Sequence, residues 1–240
     1  MLEGQRAVVF GGASGAGLAS AKLLAARGAE VVIAGRSAGK LDATNKEFRF
    51  TAYEVDGKDV AAVDRFFKDL GAFDHLVITA GQTNRGGSFV EQITDKTFRE
   101  TFDGKFWVQI TAAHAGARHI RKGGSITFFS GGASRRAMKG MTNIAAVNGA
   151  LDAVVPTLAL ELAPTRVNSI SPGTLRTSYW TGLADAEQDK IFDHLATVLP
   201  AGRVGTADDI ANAVLYLVST SFVTGTVLAI DGGLPHAASL

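Results

Sequence analysis

Along these 240 residues, short apolar runs keep alternating with longer stretches of helical period, and this alternation constrains the fold more than anything else in the chain. The spacing predicts strands at Arg6–Phe10, Val31–Ala34, Phe50–Val55, His75–Thr79, Ser125–Ser130, Arg166–Ile170 and Val227–Ile230. Between them it predicts helices at Leu18–Arg27, Ala38–Glu47, Val60–Leu70, Asp95–Ile120, Thr142–Ala163 and Asp208–Val218. Strands joined through helices must run parallel, so an α/β fold is expected: a doubly wound parallel sheet of about seven strands with helices on both faces. Residues 1–240 read as a single domain, since no linker or repeat divides them. The segment Pro172–Val204 has no strand and carries Tyr179, Trp180 and Phe192, which suits a lobe covering a substrate.

Composition then removes whole classes of function. With no cysteine, disulfides, thiolate metal sites and cysteine nucleophiles are excluded. Lys plus Arg is 24 and Asp plus Glu is 23, which gives no electrostatic reason to expect nucleic acid or an anionic membrane as partner. The five histidines are scattered, and His114 and His119 are five apart, on different helix faces, so no metal is expected. The opening residues do not read as a signal peptide. The apolar stretch Ile144–Ala163 contains Asn148, Asp152, Pro156 and Glu161, which argues against a membrane span. A cytoplasmic location is expected.

Between the first strand and first helix stands Gly11-Gly12-Ala13-Ser14-Gly15-Ala16-Gly17. Glycines there let backbone N–H groups approach a pyrophosphate at the positive end of a helix, the arrangement of a Rossmann-type dinucleotide site. The ribose selector belongs at the end of the second strand, where Gly35-Arg36-Ser37 offers no carboxylate. Arg36 would pair with a 2′-phosphate, helped by the Ser37 hydroxyl, so NADP(H) is the expected cofactor. A solvated loop arginine is the plainer alternative.

These residues, with others along nearly the whole chain, resemble the short-chain dehydrogenase/reductase family. Gly11-x-x-x-Gly15-x-Gly17 looks like its cofactor turn, and Ile78-Thr79-Ala80-Gly81 stands where the family has Asn-Asn-Ala-Gly. Arg166-Val-Asn168-Ser-Ile-Ser-Pro172-Gly173 is similar to the stretch after its catalytic helix, and Asp231-Gly-Gly233 to its C-terminal strand. The resemblance implies that Asp56 meets the adenine amino group, that Ala80, Gly81, Pro172 and Gly173 line the cofactor, and that Thr177 holds the nicotinamide carboxamide. It also implies a homotetramer or dimer. Gly104, Gly116 and Gly149 are expected to allow close helix approach, although each costs up to about 1 kcal/mol in a helix. Pro156 is expected to kink the helix that would face a neighbouring subunit.

The catalytic end departs from the family's pattern. Counted back from Glu161, the tyrosine position is Ile144, the lysine position Asn148 and the serine position Gly131, with Ser130 beside it. The helical asparagine position is Lys105. Lysine and asparagine have traded places. Hydride reduction of a ketone leaves an alkoxide that must be protonated, and an isoleucine cannot do that.

Three substitutes are available. Lys105, pointing at Asn148, would do the absent lysine's electrostatic work or protonate the alkoxide directly. Ser130 would donate to the substrate oxygen. Tyr179 would supply a phenol from the lobe, unless it is a pocket wall. Arg135, Arg136 and Lys139 would bind an anionic substrate, unless they are simply solvated. The leading expectation is an NADP(H)-dependent oxidoreductase acting on a small-molecule carbonyl or alcohol through Lys105, Asn148 and Ser130. Its rivals are a non-catalytic NADP-binding sensor or oligomer partner and a non-redox isomerase or lyase.

Overall fold

A computed structural model describes residues 1–83, 86–176 and 184–237. Seven strands form one sheet: β1 Arg6–Phe10, β2 Glu30–Gly35, β3 Thr51–Glu54, β4 Phe73–Ile78, β5 Ile120–Phe129, β6 Arg166–Pro172 and β7 Val227–Ile230. Their order is β3-β2-β1-β4-β5-β6-β7, and every neighbouring pair is parallel. The chain order reverses between β1 and β4. At such a switch point the flanking crossovers leave on opposite faces, so a crevice opens beyond the strand ends. Two apolar layers cover the sheet. One gathers Phe10, Phe67, Phe73, Leu76, Phe128 and Leu151, the other Val9, Leu24, Ile33, Val77, Ile170 and Leu217.

The helices are α1 Gly15–Ala26, α2 Ala38–Phe48, α3 Val60–Leu70, α4 Asp95–Gly104, α5 Phe106–Ala117, α6 Thr142–Glu161, α7 Asp185–Val198 and α8 Ala207–Ser219. The single long helix expected over Asp95–Ile120 is in fact two. Lys105 sits between them with φ −133° and ψ −58°, outside helical geometry. The cause is tertiary: Gln82 N–H, in the loop after β4, donates to the Gly104 carbonyl at 2.9 Å and takes it out of the helical ladder. A Cβ at Gly104 would collide with the Gln82 carbonyl oxygen, so glycine is needed for this approach. Gly116 likewise leaves room for Leu76 and Phe67 of the same chain. Both glycines thus have reasons inside the subunit, whereas Gly149 faces open space.

Strand β5 begins at Ile120, five residues before the expected start, and a helix, α7, occupies the Pro172–Val204 segment. Helix α6 runs through Pro156 as one helix. It is long and apolar enough to cross a membrane, yet Val147, Leu151 and Val155 are fully buried in the protein core.

At the opposite end of the sheet, His75 lies between Ser125 Oγ and Gln5 Oε1, each at 2.9 Å. Burial pushes its ring down to about 4. The unfolded chain takes up a proton here near pH 6.5, whereas the folded chain does so only near pH 4. This contribution is therefore intact above about pH 6.5 and is lost as pH falls toward 4, by about 3 kcal/mol in all. Urea midpoints measured at pH 7, 5.5 and 4.5 are expected to fall, and His75→Gln is expected to flatten that decline. Equal declines in the two proteins would place the acid sensitivity elsewhere.

Candidate active site

The crevice begins where β1 hands over to α1. Gly11 has φ +103°, and a Cβ there would stand 2.5 Å from both Ala80 N and Thr79 Oγ1. A Cβ on Gly17 would collide with the Gly11 carbonyl, so α1 starts as close to the turn as backbone allows. Gly15, at φ +53°, has nothing within 4 Å of a notional Cβ, which leaves the turn open on its outer side. Ser14 is the N-cap of α1 but makes no side-chain cap hydrogen bond, and the first turn carries no acidic residue. Together with Ala16, these residues form a helix terminus that favours an anion.

Next along the crevice, Arg36 is exposed and donates to Gln82 Oε1 at 2.8 Å. Ser37 caps α2 without using its hydroxyl. Asp56 is exposed, one of its oxygens accepting from Lys58 N–H at 3.0 Å. Ala80 N–H donates to Phe10 O at 2.8 Å, which brings Ala80 and Gly81 beside the glycine turn. On the far side, Gly173 N–H donates to Ile230 O, and a Cβ on Gly173 would press within 2.7 Å of Asp231 Cα, so Pro172–Gly173 is held hard against β7. Thr177, Tyr179 and Trp180 lie outside the described residues.

At the inner end the exchanged pair meets. Lys105 Nζ donates to Asn148 Oδ1 and to the Ser130 carbonyl, both at 2.7 Å. An ammonium has three N–H groups, so one is left over. Burial pushes this amine down to about 8, and the negative charge of Asp152 partly opposes that shift. Asn148 is buried, and its amide nitrogen would lie 2.8 Å from a Cβ at position 131, which explains glycine where the family pattern has serine.

Ser130 takes part differently from expectation. Its hydroxyl is buried and lies 3.5 Å from Ile170 O, so it is the carbonyl that faces Lys105. Ser130 therefore meets Lys105 through its backbone carbonyl, while its hydroxyl lies beside the Ile170 carbonyl. Arg136, expected to meet an anionic substrate, is engaged elsewhere. Its guanidinium donates to the Leu234 and Ala237 carbonyls at 2.7 and 2.8 Å, tying down the C-terminal segment. Arg135 and Lys139 remain exposed.

Sequence reasoning missed the polar side chains that tie together the elements around Lys105. Gln109, one turn into α5, forks onto Phe129 with its amide, donating to the carbonyl and accepting from the N–H at 2.8 and 2.9 Å. Asn143 Nδ2 donates to Thr101 Oγ1 at 2.9 Å, which locks α6 to α4. Asp152 stands four residues beyond Asn148, on the same helix face, and the i, i+4 spacing was the available signal. Among the described residues, no His, Asp and Glu grouping suits a metal.

Residues 11–235 match the family described as enoyl-(acyl carrier protein) reductase. The chain is 32% identical to a short-chain dehydrogenase/reductase of Stachybotrys chlorohalonatus, over 97% of each chain. It is also 32% identical to a 3-oxoacyl-acyl-carrier-protein reductase of Chlamydia muridarum, over 98% of each. Among solved structures it superposes on a small-chain dehydrogenase in complex with NADPH, with TM-score 0.85 and 38% identity, covering 95% of this chain and 97% of that one.

Proposed function

This chain belongs to the short-chain dehydrogenase/reductase family, and from that premise we propose that it moves hydride between NADP(H) and a carbonyl or alcohol, with Lys105 standing in for the missing tyrosine. The observation that carries the reading is the position of Lys105 Nζ, held by two neutral oxygens with one N–H left over. The relative that superposes with NADPH bound supports the choice of cofactor.

The residues present fit that cofactor. Gly11, Ser14, Gly15, Ala16 and Gly17 would take the pyrophosphate on backbone N–H groups, and Arg36 with Ser37 the 2′-phosphate. Asp56 would meet the adenine, with Ala80, Gly81, Pro172 and Gly173 lining the rest. NADPH supplies the hydride when bound. What the chain must add is a proton for the substrate oxygen and a site that orients it. Lys105 gives the proton from Nζ. Its two neutral acceptors fix the direction of the amine without neutralising it, so the positive charge stays available for a developing alkoxide.

The direction of the pH dependence follows. Reduction needs Lys105 protonated, so its rate is expected to fall as pH rises through about 8, whereas alcohol oxidation needs the neutral amine and is expected to rise through the same range. Both are read from NADPH absorbance across a panel of ketones, aldehydes and alcohols. Two rates that rise together with pH would exclude Lys105 as the proton donor.

Ile144 at the tyrosine position favours a second reading, NADP(H) binding without turnover. Fluorescence titration with NADPH and NADH, followed by the same panel, separates the two. NADPH binding with turnover supports the first reading and binding without turnover the second, while failure to bind either nucleotide defeats both. We further propose a homo-oligomer through α4, α5, α6 and the C-terminal strand β7; on α5, Trp107 is 54% exposed beside Phe98 and Phe102.

A further inference from the structure

We propose that Asp152 is the positioning residue for Lys105: it provides the counter-charge behind Asn148 and, through Ser134, anchors the loop whose Ser130 carbonyl holds the amine. The inference rests on the reading of Lys105 given above, and it adds a residue that the family's catalytic pattern does not contain.

The geometry begins at Ser134. Its hydroxyl lies 2.7 Å from Asp152 Oδ2 and 3.0 Å from the Gly131 carbonyl, and its N–H also reaches that carbonyl at 3.1 Å. Ser134 thus bridges the segment after β5 to α6. On one side of Gly131 is Ser130, whose carbonyl accepts from Lys105 and whose N–H donates to Ile170 O at 2.9 Å. Against the other side packs Asn148, the second acceptor of Lys105. The Ser130 carbonyl is therefore held by a short loop clamped at Asp152, and that loop lies against Asn148, one turn before Asp152 on α6.

The carboxylate is unusual in what it lacks. Asp152 Oδ1 is buried and has no hydrogen-bond partner among the described residues. A carboxylate oxygen in that state is costly unless a charge nearby compensates it. The other charged groups on the elements around Lys105 are Asp95, Lys96, Arg99, Glu100 and Asp103 on α4, Arg121 and Lys122 on β5, Glu161 on α6, Arg36 through Gln82, and Arg135 beyond β5. All are exposed, where water screens them. Asp152 is the one whose charge acts on the amine, and it favours the protonated form. A lysine held only by neutral oxygens in a buried site would give up its proton at a lower pH. The aspartate keeps that proton on near neutrality.

The test reads Lys105 directly, without turnover. Competitive labelling with acetic anhydride across a pH series, followed by peptide mass spectrometry, gives the pH at which this amine becomes nucleophilic. In the wild-type protein that inflection is expected near 8. In Asp152→Asn it is expected to fall by about one unit. Asp152→Glu is expected to restore much of the shift, and Ser134→Ala, which keeps the charge, to move the inflection less than Asp152→Asn. In parallel, the pH above which carbonyl reduction falls should move down in Asp152→Asn by the same amount. An unchanged labelling inflection in Asp152→Asn overturns the proposal. Should that variant not fold, Asp152→Ser makes the same change of charge in a smaller volume and is read in the same way. Lack of NADPH turnover in the wild type would defeat the functional reading, while the labelling result would still decide the role of Asp152.

Discussion

Lys105→Met is expected to lower kcat for carbonyl reduction by about 10²- to 10⁴-fold, the range for losing a positioned proton donor, while NADPH affinity changes little. Methionine keeps the unbranched apolar stem and removes only the ammonium. Three terms set the stability of this variant. The Ser130 carbonyl and Asn148 Oδ1 both lose their charged donor, costing about 1–3 kcal/mol each where water cannot replace it. Against this, a buried amine pushed from 10.5 to about 8 carries a desolvation cost of about 3 kcal/mol at neutral pH, which disappears with the charge. Removing the ammonium also leaves Asp152 without the charge that compensates its unpaired oxygen, so a net loss of stability is expected. The two kcat values are therefore compared at a temperature where circular dichroism shows both proteins folded. Steady-state kinetics beside a fluorescence titration checks this. A variant with wild-type kcat would take Lys105 out of the chemistry, and one that cannot bind NADPH would give it a binding role instead.

The second large effect is expected at the other end of the crevice. Arg36→Asp should weaken NADPH binding by about 100-fold and improve NADH binding. A hydrogen bond to a charged group contributes about 1.5–3 kcal/mol, and the new carboxylate would also repel a 2′-phosphate while accepting from the ribose hydroxyls of NADH. Arg36 is exposed and its partner in the structure is the neutral Gln82 amide, so the exchange should leave stability within about 0.5 kcal/mol. Arg36→Ala is the control, expected to lose NADPH affinity without gaining NADH. A ratio of the two dissociation constants that stays put in Arg36→Asp would show that another group selects the nucleotide.

The two ends of the crevice differ in how far they could be read in advance. The cofactor end is local. Gly11 to Gly17 form one turn, and their need for positive φ and close backbone approach is written into the residue type itself. Arg36 is recognised by its place at the end of β2, a position that follows from counting. The catalytic end is not local. That Lys105 and Asn148 had exchanged places could be counted, but a separation of 43 positions says nothing of a contact. Ser130 shows the difference most plainly, since its residue type suggests a hydroxyl and its place at a strand end presents a carbonyl.

The sequence by itself determined the parallel α/β sheet, the glycine turn at its switch point and the absence of any tyrosine where a proton donor is needed. All three depend on periods and residue types that act over a few neighbouring positions. Only the tertiary structure decided that the helix breaks at Lys105, that the amine rests between Asn148 and a backbone carbonyl, and that Asp152 lies behind them. The break exists because Gln82 takes the Gly104 carbonyl from the helix, and the charge environment exists because α6 carries Asp152 up against the Gly131 loop. Hydrogen bonds and desolvation of this kind depend on what surrounds a group in three dimensions, and no window of sequence contains those neighbours.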